Sequence, residues 1–294
     1  MEAFCGQLTT PRGRFFIRDS GGEGIPVLLI HGWPQSSMCW EETLAHLPAT
    51  WRYIRPDTRG MGDSERTFDV ADYAKTELAN DMLAIIDTLG IDRFIVVGHD
   101  WGGIIAQEVA LASPERVIGL ALLNISLINN PVGQAKAREA LTQRGGIRFL
   151  WYQFFQQQPE LAEAMIPGNE RVWLSHFLQL AKGRTLPSAM FDEYVRTFSI
   201  PGTATTSANY YRAMQFDMPR WAMLDTPYAM PGLLIYGEKD VVIIPEYFDD
   251  IESSFPRGVE QVRLSAGHFV QDELPADVAS ALLTFFVSLT DAIS

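Results

Sequence analysis

The sequence predicts an α/β fold, a mostly parallel sheet flanked by helices with an inserted helical cap. Three observations carry this expectation. Short apolar runs bounded by turn residues alternate with helical patterns. The central runs are continuous Val, Ile and Leu, as parallel strands covered on both faces require. The alternation then stops for about a hundred residues and resumes at Pro231.

In chain order the apolar runs fall at 14–18, 27–30, 53–55, 94–97, 117–123, 233–236 and 262–264. Helical patterns separate them at 37–47, 73–89, 102–112 and 276–288. Gly90 stands where the second of these ends and a C-cap turn needs φ > 0. The interrupting stretch carries no strand pattern; it is aromatic-rich and helical at 135–142, 148–156, 170–181 and 189–198. The core is therefore expected at 1–127 and 226–294, and the cap at 128–225. Ligands bind beyond the carboxyl ends of the strands in open parallel sheets, so a cap placed there encloses a pocket.

A chain of 294 residues, 47% hydrophobic and 20% charged, is long enough to bury a large core. Its 23 Lys and Arg against 36 Asp and Glu give a net charge of −13, and only four of the 23 are lysines. Such a chain is repelled by nucleic acid and by anionic lipid, so neither is expected as a partner. Cys5 and Cys39 lack CxxC or CxxH spacing, which argues against a disulfide framework and a zinc site. The N-terminal residues show no apolar h-region and no run approaches 18 apolar residues, making the cytoplasm the default expectation.

The densest chemical signal is Gly98-His99-Asp100-Trp101-Gly102-Gly103, between a strand and a helix. Small residues flank Asp100 because a strand turning sharply into a helix crowds its neighbours and strains the central residue. That turn holds the central side chain at the sheet's carboxyl edge, near the positive end of the next helix. The residue there is usually Ser; here it is Asp. His31-Gly32-Trp33-Pro34 also ends a strand, and its tight turn can aim the Trp33 N–H beside the Trp101 N–H as an oxyanion hole. His31 reads as structural, as does the turn 59–64, and Asp57 and Asp63 receive no catalytic role. Asp240 and His268 close two further strands, at the same edge as Asp100. Of the five histidines (31, 46, 99, 176 and 268), only His268 follows a candidate acid on such a loop. The order nucleophile, acid, histidine is that of a hydrolase triad. Glu238 is the rival acid, and the alternative acid position after 117–123 holds Asn124, which cannot pair with an imidazolium by charge.

Together these motifs, HGWP, glycine-flanked Asp100, GEKD and AGH, resemble the α/β-hydrolase superfamily, and its epoxide hydrolase branch most closely. The resemblance spans nearly the whole chain. It implies the α/β-hydrolase fold and gives two cap segments a role. Trp151-Tyr152-Gln153-Phe154-Phe155 is similar to the segment carrying the first ring-opening tyrosine, and Asn209-Tyr210-Tyr211-Arg212-Ala213 to that carrying the second, at Tyr211. The implied catalytic set is Asp100, His268, Asp240, Tyr152 and Tyr211, with no metal or organic cofactor. A small apolar epoxide and water are the implied partners; a homodimer is left open.

Aspartate in place of serine changes the chemistry that is open to the site. A serine attacking a saturated carbon makes an ether that the triad cannot hydrolyse, whereas a carboxylate makes an ester that turns over. An ordinary Asp, with a pKa of about 3.9, also needs no base to ionise. A dehalogenase uses the same Asp, His and acid, and a non-catalytic binding protein uses the same scaffold. The dehalogenase pattern departs at three places: Trp33 for Asn, Trp101 for Arg, and Tyr152-Gln153 for His-Trp.

Overall fold

The computed structural model describes residues 2–180 and 184–291. Eight strands form one sheet: β1 (Phe4–Thr10), β2 (Gly13–Asp19), β3 (Pro26–Ile30), β4 (Arg52–Pro56), β5 (Phe94–His99), β6 (Val117–Leu123), β7 (Gly232–Gly237) and β8 (Val259–Leu264). Their spatial order is β1-β2-β4-β3-β5-β6-β7-β8. Strand β2 pairs antiparallel with both neighbours, and every other pairing is parallel. Strands β5, β6 and β7 are buried at every position, which is why they read as unbroken apolar runs.

Two elements escape the apolar-run reading. Strand β1 is mostly exposed, so FCGQLTT shows no such run. Strand β8 is an edge strand whose exposed Glu260 and Gln261 conceal its first half. Between the strands lie the core helices α1 (Glu41–Leu44), α2 (Lys75–Thr88) and α3 (Trp101–Ala112). The helix expected over 37–47 is a 3₁₀ turn at Ser37–Trp40 followed by short α1. Gly90 has φ +66, as the C-cap turn of α2 requires.

Among the described residues, seven α-helices lie between β6 and β7: α4 (Pro131–Gln143), α5 (Trp151–Gln157), α6 (Leu161–Met165), α7 (Glu170–Phe177), α8 (Ser188–Phe198), α9 (Thr203–Arg212) and α10 (Met214–Trp221). Helices α5 to α10 form the helical cap, while α4 packs its Ala137, Ala140 and Leu141 against Ile244 of the segment after β7. The end of the helix expected at 170–181, Ala181, lies outside the described residues. After β8 the chain closes with α11 (Val270–Glu273) and α12 (Pro275–Asp291).

Helix α9 seats the cap on the core through polar bonds. The Tyr210 hydroxyl donates to the Arg59 carbonyl (2.8 Å) and lies within hydrogen-bond reach of the Thr58 hydroxyl (2.6 Å), and Thr206 Oγ1 donates to the Gly60 carbonyl (2.7 Å). Gly60, at φ +77, is required there because a Cβ would lie 2.7 Å from Thr206 Cβ. Beside this seat, Asp217 of α10 reaches the start of α2. Its Oδ1 accepts from the Lys75 N–H and its Oδ2 from Lys75 Nζ, both at 2.9 Å. Lys75 Nζ also donates to the carbonyls of Tyr210 and Tyr73, so three acceptors surround one buried ammonium. Asp217→Ala leaves that cation unpaired and is expected to lower unfolding stability by about 3–5 kcal/mol. A urea midpoint equal to that of the unchanged protein would remove the pair from the cap's attachment.

Candidate active site

The sheet reverses its winding between β3 and β5, and ligand sites form in the crevice at such a switch point. Asp100 stands there, between β5 and α3, with φ 49 and ψ −126, a conformation that costs a non-glycine residue strain. The glycines around it are sterically forced. A Cβ on Gly98 would lie 2.2 Å from the Gly102 carbonyl oxygen, one on Gly102 2.3 Å from that of Ile30, and one on Gly103 2.5 Å from Ile125 Cγ2. The strand, the strained residue and the helix thus close-pack only with small neighbours.

On the adjoining loop, after β3, a Cβ on Gly32 would lie 2.5 Å from that of Asp100. This close approach brings the Trp33 N–H within 2.9 Å of Asp100 Oδ1. No hydrogen bond from the Trp101 amide to the carboxylate is seen among the described residues. The Trp33 indole N–H is committed elsewhere, to Ser207 Oγ of α9 at 2.5 Å. His31 is buried, with Nδ1 against its neighbour's carbonyl and Nε2 accepting from the Thr58 N–H, which suits a structural role.

The second carboxylate oxygen, Asp100 Oδ2, faces His268 Nε2 at 3.5 Å. His268 Nδ1 in turn donates to Asp240 Oδ2 at 2.7 Å. Glu238 is exposed and takes no part in this chain of contacts. Asp240 is buried, yet its carboxyl lies below the usual carboxylate range. Burial opposes ionisation there, and His268 together with donors from the Val242 N–H and Asn124 overcomes it. Burial likewise opposes charge on His268, but Asp240 and Asp100 outweigh it and raise the imidazole to about 10. His99, packed behind at 5.0 Å between ring centroids, is pushed down to about 4 by burial and by His268. Its Nε2 holds the His268 carbonyl at 2.9 Å.

The cap places Tyr152 over this arrangement, its ring parallel to Trp33 at 5.5 Å and perpendicular to Tyr211 at 5.8 Å. Burial, and then the charge of Asp100, hold the Tyr152 phenol above its ordinary value. Tyr211 is raised by burial, Tyr152 and Asp100. A cavity of about 390 Å³ joins Asp100, His268, Asp240, Trp33 and Tyr152, with Trp151, Phe177 and Phe269 supplying apolar walls. Tyr211 does not line that cavity; it is buried behind Tyr152 and against Trp101. Among the described residues no group of three or more His, Cys, Asp or Glu side chains is placed to hold a metal ion, and no helix is long and apolar enough to cross a membrane.

The sequence profile of the alpha/beta hydrolase fold matches residues 25–275. The chain belongs to the α/β-hydrolase family. Within it, the chain is similar to epoxide hydrolases: it is 28% identical over 279 residues to a soluble epoxide hydrolase of Corynebacterium sp. (strain C12), covering 92% of this chain and 93% of the relative. Among solved structures, an epoxide hydrolase from an endophytic Streptomyces matches with a TM-score of 0.84 at 26% identity, covering 98% and 96% of the two chains. The Vigna radiata epoxide hydrolase VrEH1 matches with a TM-score of 0.80 at 25% identity, covering 98% of each.

Two supporting groups of this α/β-hydrolase site were not legible as such in the sequence. Ser207 lies in a polar stretch with no motif, and only the fold brings it to Trp33. Asn124 is legible as the residue after β6, but its hydrogen bond to Asp240 is a property of the folded chain.

Proposed function

We propose that the protein is an epoxide hydrolase that turns an apolar epoxide and water into a vicinal diol through an ester on Asp100. The observation that carries this reading is the carboxylate at the strained turn, with one oxygen held by the Trp33 N–H and the other facing His268 beneath Tyr152. Oδ2 attacks an epoxide carbon from behind, the C–O bond of the ring breaks, and a tyrosine phenol gives its proton to the departing oxygen. Tyr152 stands in the cavity and Tyr211 backs it.

The same event prepares the second half. In the resting protein two carboxylates hold His268 protonated, with its pKa at about 10. Esterification removes the charge of Asp100, so His268 loses one of the two anions that favour its proton. That proton replaces the one the tyrosine gave up, and the imidazole becomes a base. It then takes a proton from water, the hydroxide attacks the ester carbonyl, and the tetrahedral oxyanion forms at Oδ1, where the Trp33 N–H already donates. The Trp101 N–H is the proposed second donor. Collapse releases the diol and restores both the carboxylate and the imidazolium, so protons balance over the cycle. Asp240 orients the imidazole throughout. The cap over 128–225 encloses the apolar part of the substrate.

Dehalogenation needs N–H donors for the leaving halide, and Trp101, beside the nucleophile, is the donor that keeps this reading open; its side chain hydrogen-bonds Tyr211, and the Trp33 indole N–H is already spent on Ser207. The deciding assay gives the unchanged protein a small aryl epoxide and, separately, a simple bromoalkane. Diol from the first is the expected result. Halide release from the second with no diol from the first would replace this reading by a dehalogenase.

A further inference from the structure

Asn124 occupies the loop after β6, fully buried, at φ +42, a left-handed conformation that Asn tolerates. Its amide ties three parts of the site together. Nδ2 donates to Asp240 Oδ2 at 2.7 Å and to the Gly267 carbonyl at 3.3 Å, while Oδ1 accepts from the Gly237 N–H at 3.2 Å. Asp240 Oδ2 is also the oxygen that receives His268 Nδ1 at 2.7 Å. One carboxylate oxygen is therefore shared between an imidazole and a neutral amide, while the Val242 N–H takes the other at 2.8 Å.

We propose that Asn124 is a positioning residue that fixes Asp240 and draws part of its negative charge away from His268. The proposal rests on the epoxide-hydrolase reading only in giving His268 a task as a base. An imidazole that grips its proton too tightly cannot activate water. Once Asp100 is an ester, Asp240 is the remaining anion in contact with the ring, so whatever else binds Asp240 decides how firmly that proton is held. Asn124 stays bonded to Asp240 in both protonation states of His268, and the charge it draws off weakens the hold on the proton, a shift of about one pH unit. The other groups facing His268 do not compete for that oxygen. His99 bonds the His268 carbonyl, Glu273 accepts from the Gly267 N–H, and Tyr152 and Lys239 stand around the cavity.

Asn124 acts through Asp240 and touches no reacting atom, so the test reads the imidazole directly. In an Asp100→Asn background, which imitates the neutral ester, the His268 ring is titrated by NMR with position 124 as Asn, Gly or Ala. Asn124→Gly tolerates φ +42 and deletes the donor; Asn124→Ala deletes the same donor while keeping a Cβ. The expected midpoint of His268 rises by about one pH unit with either. A midpoint unchanged or lowered in Asn124→Ala overturns the proposal, even if the glycine variant does not fold. Epoxide turnover by the unchanged protein is measured alongside: its absence removes the proposed reaction and leaves the titration result standing.

Discussion

His268→Gln protein mixed with a small aryl epoxide is expected to gain the whole mass of the epoxide, on Asp100, and to hold it. The reason is the division of labour between the two oxygens of Asp100. In the proposed mechanism attack uses Oδ2, and Oδ1 is anchored by the Trp33 N–H, so neither needs the histidine for bond formation. Only the second half-reaction needs a base, and glutamine cannot accept the proton from water. Ester hydrolysis is expected to slow by about 10²–10⁴-fold, the range a positioned base supplies. Intact-protein mass spectrometry after mixing reads the adduct, and a peptide digest locates it. Wild-type steady-state diol formation by the variant would take His268 out of the mechanism. A gain from a bromoalkane alone, equal to its alkyl group, would keep the nucleophile and change the leaving group.

The parts of this protein legible in the sequence are those where burial and chemistry leave the same mark. Val117–Leu123 is buried at all seven positions and reads as one apolar run, so its strand bounds follow from composition. The turn at Asp100 is legible because a Cβ on Gly98, Gly102 or Gly103 collides with backbone or packed side chain, which leaves those positions little choice. Elements escape where polar residues are buried. TATTSANYYR carries no apolar stripe, yet it forms helix α9, because the Gly60 and Arg59 carbonyls and the Thr58 hydroxyl satisfy its hydroxyl groups. Helix α10 contains Pro219 and a buried Asp217 whose partner, Lys75, is 142 residues away. Asn124 illustrates the same limit at the site. Its amide excludes it as the triad acid, but the sequence holds no trace of its 2.7 Å bond to Asp240, the carboxylate proposed for that role.

Replacing both Tyr152 and Tyr211 by Phe is expected to reverse the pattern of the histidine variant, slowing ester formation by about 10²–10⁴-fold and leaving the hydrolysis of ester already formed near its usual rate. An alkoxide is a poor leaving group without a proton donor, and these two phenols are the donors over Asp100 in this reading. Burial first holds both phenols above the ordinary tyrosine value of 10.0, followed by the charge of Asp100 at Tyr152 and by Tyr152 and then Asp100 at Tyr211. Both therefore keep their protons through neutral pH, and ester formation by the unchanged protein should show no loss of the acid up to about pH 10. As attack proceeds, Asp100 loses its charge and the electrostatic part of that elevation falls away. The phenols thus become better acids as the ring oxygen becomes a stronger base. The two positions should differ singly: Tyr152 lines the cavity, while Tyr211 is buried behind it at 5.8 Å between ring centroids. Tyr152→Phe should therefore cost more than Tyr211→Phe. Rapid-quench measurement of adduct formation separates the cases. Unslowed formation in the double variant would move the proton to water or His268, and a larger loss from Tyr211→Phe alone would make the inner phenol the one that meets the substrate.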